Sequence, residues 1–220
     1  MKRFCLLVVS LLFSVVVYAQ QVTTFLGIPV DGSKSKMIQK LKAKGFRSTI
    51  DNQDVLEGEF NGHEVHIHVV TNKNKVYRIM VSDVNTIDEV SIRIRFNRLL
   101  KQFKDNDKYV SPLSLLGNTP IPDDEDISKN KRYEAVFYQR TPLIDSSLNE
   151  FARLLASMYT DDQINNMTLE MASDIAKYYD ALCGPYLKTS VWFMICEFNG
   201  EYFISMYYDN KYNEANGEDL

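Results

Sequence analysis

Residues 54–82, DVLEGEFNGHEVHIHVVTNKNKVYRIMVS, carry the reading on which the fold rests. Asn61-Gly62 lies between two alternating runs. An Asn-Gly pair so placed is the strongest short-range signal for a two-residue type I′ hairpin, because both central residues must adopt positive φ. That turn pairs Phe60 with His63, Glu59 with Glu64, Glu57 with His66 and Val55 with His68. Strand side chains alternate between faces. Leu56, Phe60, Val65, Ile67 and Val69 therefore share one face, and Val55, Glu57, Glu59, Glu64, His66 and His68 the other. A second hairpin with the loop Thr71 to Lys75 sets Val69 opposite Tyr77, Ile67 opposite Ile79 and Val65 opposite Val81. The expectation is a three-stranded antiparallel meander, apolar on one side and wet on the other.

The theme returns at 191–210, VWFMICEFNGEYFISMYYDN. Glu59-Phe60-Asn61-Gly62 is matched by Glu197-Phe198-Asn199-Gly200, and Thr71-Asn72-Lys73 by Asp209-Asn210-Lys211 at the same distance. Both signals suggest a duplicated unit, with convergence on a good turn as the other explanation. In this hairpin Trp192, Met194, Cys196, Phe203 and Tyr207 share one face; Val191, Phe193, Ile195, Tyr202, Ile204, Met206 and Tyr208 share the other. Both faces are apolar, so both are expected to be covered. From Asp209 on, the polar tail is expected at the surface.

Helical periodicity fills the intervals. Ser33 caps a short helix with the stripe Met37, Ile38, Leu41 and a Gly45 stop, and a first strand follows within 46–50. Thr86 and Glu89 form a capping box ahead of a helix reaching Phe103. A long loop spans 105–130, with the acidic run 123–126 in solvent. A strand follows at 131–140, then two helical segments within 146–183, the expected cover for the last hairpin. The fold class is α+β: antiparallel sheet built from two related helix-plus-hairpin units, with helices packed on one face of the first half and both faces of the second. Residues 20–84 form the first unit and 85–220 the second, with a helical insertion at 146–183, the two packed as one globular body.

Residues 1–19 read as a signal peptide: Lys2 and Arg3, an apolar run, then Val17-Tyr18-Ala19 ahead of cleavage. That run is shorter than the roughly 20 residues of a membrane helix, and no later stretch is long and apolar enough to span. Losing Lys2 and Arg3 takes the formal charge from −4 to −6. A mildly acidic chain has no electrostatic reason to bind nucleic acid. Cys183 and Cys196 survive cleavage and read as two small buried apolar residues rather than a pair.

The three histidines of the chain, His63, His66 and His68, fall within six residues. His66 and His68 share a face with Glu57 opposite His66, a geometry that suits zinc or a similar ion; a solvated sheet face explains the same residues without a metal. There is no Gly-x-Ser-x-Gly elbow and no phosphate loop, so no catalytic constellation emerges.

FLGIPVDGSKSKMIQKLKAKGF, VYRIMVSD and YYDNKYNEANGEDL together resemble a family of uncharacterised small exported proteins of Bacteroides-type gut bacteria. The resemblance implies a Gram-negative envelope and a periplasmic or secreted address. The helix-then-sheet repeat is also similar, at the level of fold, to tandem β-lactamase inhibitor proteins and small outer-membrane assembly lipoproteins, although the lipobox of the latter is missing. The leading expectation is a non-enzymatic binding module contacting a protein or glycan of the envelope or host through a sheet surface and aromatic loops. A metal-dependent hydrolase using Glu57, His66 and His68, and an inhibitor of a secreted enzyme, are the alternatives.

Overall fold

The structure is a computed structural model that describes residues 22–111, 118–129 and 132–211. The expected signal peptide lies outside the described residues. Two strands, β1 (Thr24–Phe25) and β2 (Ile28–Pro29), form a small separate hairpin; then come α1 (Lys34–Ala43), β3 (Arg47–Ser48), β4 (Val55–Phe60), β5 (His63–Asn72) and β6 (Lys75–Asp83). The chain continues through α2 (Glu89–Lys104), β7 (Tyr109–Val110), β8 (Glu134–Gln139), α3 (Pro142–Met158), α4 (Asp161–Asn165) and α5 (Leu169–Cys183). It closes with β9 (Ser190–Phe198) and β10 (Glu201–Asp209). Strands β3 to β10 make one antiparallel sheet in the order β3-β4-β5-β6-β10-β9-β8-β7. The fold is α+β with an antiparallel sheet, as the patterning requires.

The Asn61-Gly62 turn is where the sequence places it. Asn61 and Gly62 have φ of 52° and 78°, and all four pairs from Phe60–His63 to Val55–His68 form. Asn199 and Gly200 repeat that geometry at 54° and 82°. The next hairpin differs from expectation. Its turn is the two residues Lys73 and Asn74, both at positive φ, with a bulge between Val70 and Thr71. Val69 therefore faces Ile79, Ile67 faces Val81 and Val65 faces Asp83. The slip is two residues, one full pleat period, so every side chain keeps its expected face. Lysine seldom takes positive φ, which is why Lys73-Asn74 carries no local turn signal.

Helices α1 and α2 lie on one face of the sheet. Met37 and Leu41 of α1, and Ile92, Phe96, Leu99 and Leu100 of α2, share a core with Leu56, Ile67, Ile79, Phe193 and Ile204. Phe103 stacks on Phe137 with ring centroids 4.9 Å apart and on Phe193 at 5.6 Å. Arg95 fastens α2 to the end of β6 by a two-pronged bond to Asp83 at 2.8 and 2.6 Å.

Four local expectations are corrected. Asp88, not Thr86, caps α2 and accepts from the Ser91 amide; Thr86 instead hydrogen-bonds Glu201, and Ile87 bridges to Tyr202. The insertion's first helix starts at Pro142 rather than 146, with Thr141 as cap and proline in its first turn, where the missing N–H costs nothing. The segment 105–130 is not simply a solvated loop, because β7 joins the sheet within it and Ile121 and Ile127 are buried in the main core. Finally, Asp209 and Asn210 are buried instead of opening a surface tail. The Asn210 amide donates to the carbonyl of Val30 at 2.8 Å.

The insertion does not roof the last hairpin. Helices α3 and α5 form a second small core of Ile144, Phe151, Ile175, Tyr179 and Cys183, which meets the sheet at Val110 and Tyr138 on the β7–β8 edge. Among the described residues, the second half of the sheet is therefore covered on one face and only margined on the other.

Candidate functional site

Antiparallel register builds the uncovered face from two rows of side chains. One row runs Val136, Trp192, Tyr207, Met80, His68, Val55, each residue the cross-strand partner of the next. The second runs Glu134, Met194, Ser205, Ser82, His66, Glu57. Phe203 and Cys196 pair beside Met194. The large apolar members (Trp192, Tyr207, Met80, Met194, Phe203) are half-buried by their neighbours and open above. They stay open because α1 and α2 occupy the opposite side and the insertion stops at Tyr138.

Asp209 organises the centre. Its Oδ1 accepts from Arg78 Nε at 2.6 Å; its Oδ2 accepts from Arg78 Nη2 at 2.8 Å and from Trp192 Nε1 at 2.8 Å. Trp192 stacks on Tyr207 with centroids 3.9 Å apart and planes 15° apart. The guanidinium carbon of Arg78 lies 5.0 Å from the Tyr207 ring centre and 5.6 Å from that of Trp192, within cation–π range. The hydrogen bond to Asp209 raises the Arg78 pKa further, so its charge is permanent, and burial pushes the Tyr207 phenol up. Two planar rings, a fork-shaped cation and a buried carboxylate thus hold one another's rotamers. A surface locked in this way loses little side-chain entropy when it is contacted.

The histidines divide between faces. Glu57 and His66 are cross-strand partners, as expected, and His68 stands two residues along the same face between Val55 and Met80. Among the described residues no group of three or more His, Cys, Asp or Glu side chains could hold a metal ion. Burial lowers the pKa of His68, with His66 and Lys34 adding to the effect. His63 lies on the helix-covered face, where burial and then Arg95 lower its pKa. Among the described residues Cys183 and Cys196 are both free. Cys183 is buried and burial raises its thiol pKa, whereas Cys196 is half-exposed on the open face, contrary to expectation.

The Arg78–Asp209 pair was the part of this site that sequence reasoning missed. Arg78 reads as a solvent-facing strand residue and Asp209 as the start of a tail. Period-two alternation continued from Tyr207 to Asp209 would have placed the carboxylate on the Trp192 face. Comparison with protein-family models, with curated proteins and with solved structures finds no match. No helix among the described residues is long and apolar enough to cross a membrane.

Proposed function

We propose that this chain is an exported, non-enzymatic binding protein of the cell envelope that engages a protein partner through the open face of its sheet. The observation that carries the reading is the uncovered aromatic and methionine surface centred on Trp192, Tyr207 and Arg78. Tryptophan, tyrosine and arginine dominate the residues on which interfaces depend, and methionine is enriched alongside them. A protein partner is favoured over a glycan because Trp192 and Tyr207 turn a ring face toward each other, and Arg78 approaches both. The rings are engaged with one another rather than laid out as a flat platform for a sugar.

The test is affinity capture from envelope extract with the mature chain, followed by mass spectrometry. Met194→Lys on the open face should abolish capture, while Ile94→Lys on the exposed side of α2 should leave it intact. For an isolated complex, Tyr207→Ala should weaken binding by about thirtyfold, the equivalent of a residue worth about 2 kcal/mol. Capture indifferent to Met194→Lys would reject the face. Turnover of an envelope substrate, abolished by one point mutation, would reject the non-enzymatic reading.

A further inference from the structure

A separate feature lies on the other side of the sheet. Beside the C-caps of α1 and α2 is a cavity of about 830 Å³, within the ordinary range for small-molecule sites. Its walls are apolar and aromatic, chiefly Phe46, Phe60, Phe103, Met206 and Tyr208. All five belong to the main core or pack against it. Phe103 stacks on Phe137, and the rings of Tyr208 and Phe60 lie 4.8 and 5.2 Å from that of Phe25. The walls are therefore in place before any ligand arrives, and burying an apolar body against them is favourable.

The polar groups at the mouth offer donors rather than acceptors. Lys44, the C-cap of α1, is exposed there and has no hydrogen-bond or ion-pair partner among the described residues. Gln102 Oε1 accepts from Asn61 Nδ2 at 3.1 Å, and Asn106 Oδ1 accepts from the Lys108 amide at 3.1 Å. A carboxamide whose oxygen is engaged presents its NH2 group, so Gln102 and Asn106 add donors beside the ammonium. The negative groups are engaged elsewhere. Asp105 is paired with Lys101. Glu59 borders the cavity, but strand alternation turns its side chain to the open face with Glu57 and Glu64. The helix-end carbonyls of Leu41, Lys42, Lys101 and Phe103 already accept backbone amides. Of the three carboxamides, only that of Asn61 keeps an oxygen without a partner among the described residues.

We infer that this cavity binds an apolar monocarboxylic acid, its body against Phe60, Phe103 and Met206 and its carboxylate at the mouth, accepting from Lys44 and from the Gln102 and Asn106 amides. A lysine suits a head group that brings charge without a fixed geometry, because its ammonium rides on a flexible stem. The cavity and the open sheet face lie on opposite sides of the sheet, so either can fail without the other. Three probes that share one body and differ in head group test it: phenylbutyrate, phenylbutanol and phenylbutylamine. Each is titrated into the methyl-labelled mature chain, reading the methyl signals of Met206 and Leu99 in the cavity and the fluorescence of Trp192 on the opposite face.

Phenylbutyrate is expected to shift both methyl signals, leave Trp192 unchanged, and bind about threefold more tightly than the alcohol, the worth of an exposed ion pair, with the amine weakest. Lys44→Gln should bring the acid down to the affinity of the alcohol. Lys40→Gln, on the same helix but away from the cavity lining, should leave the preference intact. Both positions are exposed, and thermal melts verify that each variant folds. The inference is overturned if no probe moves the two methyl groups at millimolar concentration. It is also overturned if the alcohol or the amine binds as well as the acid, or if Lys44→Gln lowers the preference no more than Lys40→Gln does.

Discussion

At the scale of single residues, small groups decide where large ones sit. A Cβ added to Gly58 would stand 2.6 Å from Cδ1 of Phe46, whose ring is buried in the core. Gly58→Ala should therefore cost about 1–3 kcal/mol through displacement of that ring, measurable by urea denaturation. Asp209→Ala strips Arg78 and the Trp192 indole of their acceptor at once. The two ionic side chains are only 26% and 10% exposed, so a loss of about 2–4 kcal/mol follows from leaving a shielded guanidinium unpaired. Trp192 is the sole tryptophan, so its emission follows this unfolding directly. Two histidines contribute to the acid side of stability. His63 and His68 have folded pKa values below 6.5, so the unfolded chain binds protons first. Stability is retained above pH 6.5 and lost as pH falls toward and through the folded values. The urea midpoint should drop between pH 7.5 and pH 5, and His68→Gln should reduce that drop. Much of this scale was legible, since Asn61-Gly62 states its own conformation. The Arg78–Asp209 pair was not, because nothing local links residues 131 positions apart.

At the scale of elements, three side-chain amides do the work of missing strands. Asn118 accepts from the Val136 amide at 2.8 Å and donates to the Val136 carbonyl at 2.6 Å. Asn97 treats Ile121 in the same way, and Gln139 treats Thr24. Each carboxamide presents one donor and one acceptor, as a peptide group does. Asn118 thereby occupies the edge of β8 above the short β7, an edge that would otherwise offer a template for another strand. Asn118→Ala should cost about 1–3 kcal/mol by leaving backbone groups unpaired and should speed amide exchange at Val136. The insertion α3–α5 has its own core and touches the sheet at one margin, so its amides should exchange well before those of β5, β6 and β10. Element identity was readable from period, whereas element ends were not. Thr86 reads as the cap from its spacing to Glu89, and the bond from the Ser91 amide to Asp88 moves the helix start two residues on.

At the scale of the molecule, the sequence supports an α+β chain with the correct inner and outer faces. Strand order was beyond it: β6 and β10 pair through contacts such as Ser82–Ser205, and period-two patterning says which face a residue takes but not which strand lies beside it. The expectation of two covered faces failed for a related reason. An apolar pattern reports that a surface avoids water, and it cannot distinguish a helix of the same chain from a partner that arrives later.

The position of β10 has a consequence for how the chain comes together. Among the described residues it is the last strand of the sheet in chain order, yet it sits at the middle, between β6 and β9. During vectorial synthesis, β4, β5 and β6 emerge long before it, and β6 presents a bare row of amides and carbonyls until β10 arrives. Closure depends on contacts as distant in sequence as Thr23 with Asp209, so refolding should be slow for the size of the chain. A nascent chain halted before Glu201 should recruit holding chaperones that the finished protein no longer attracts.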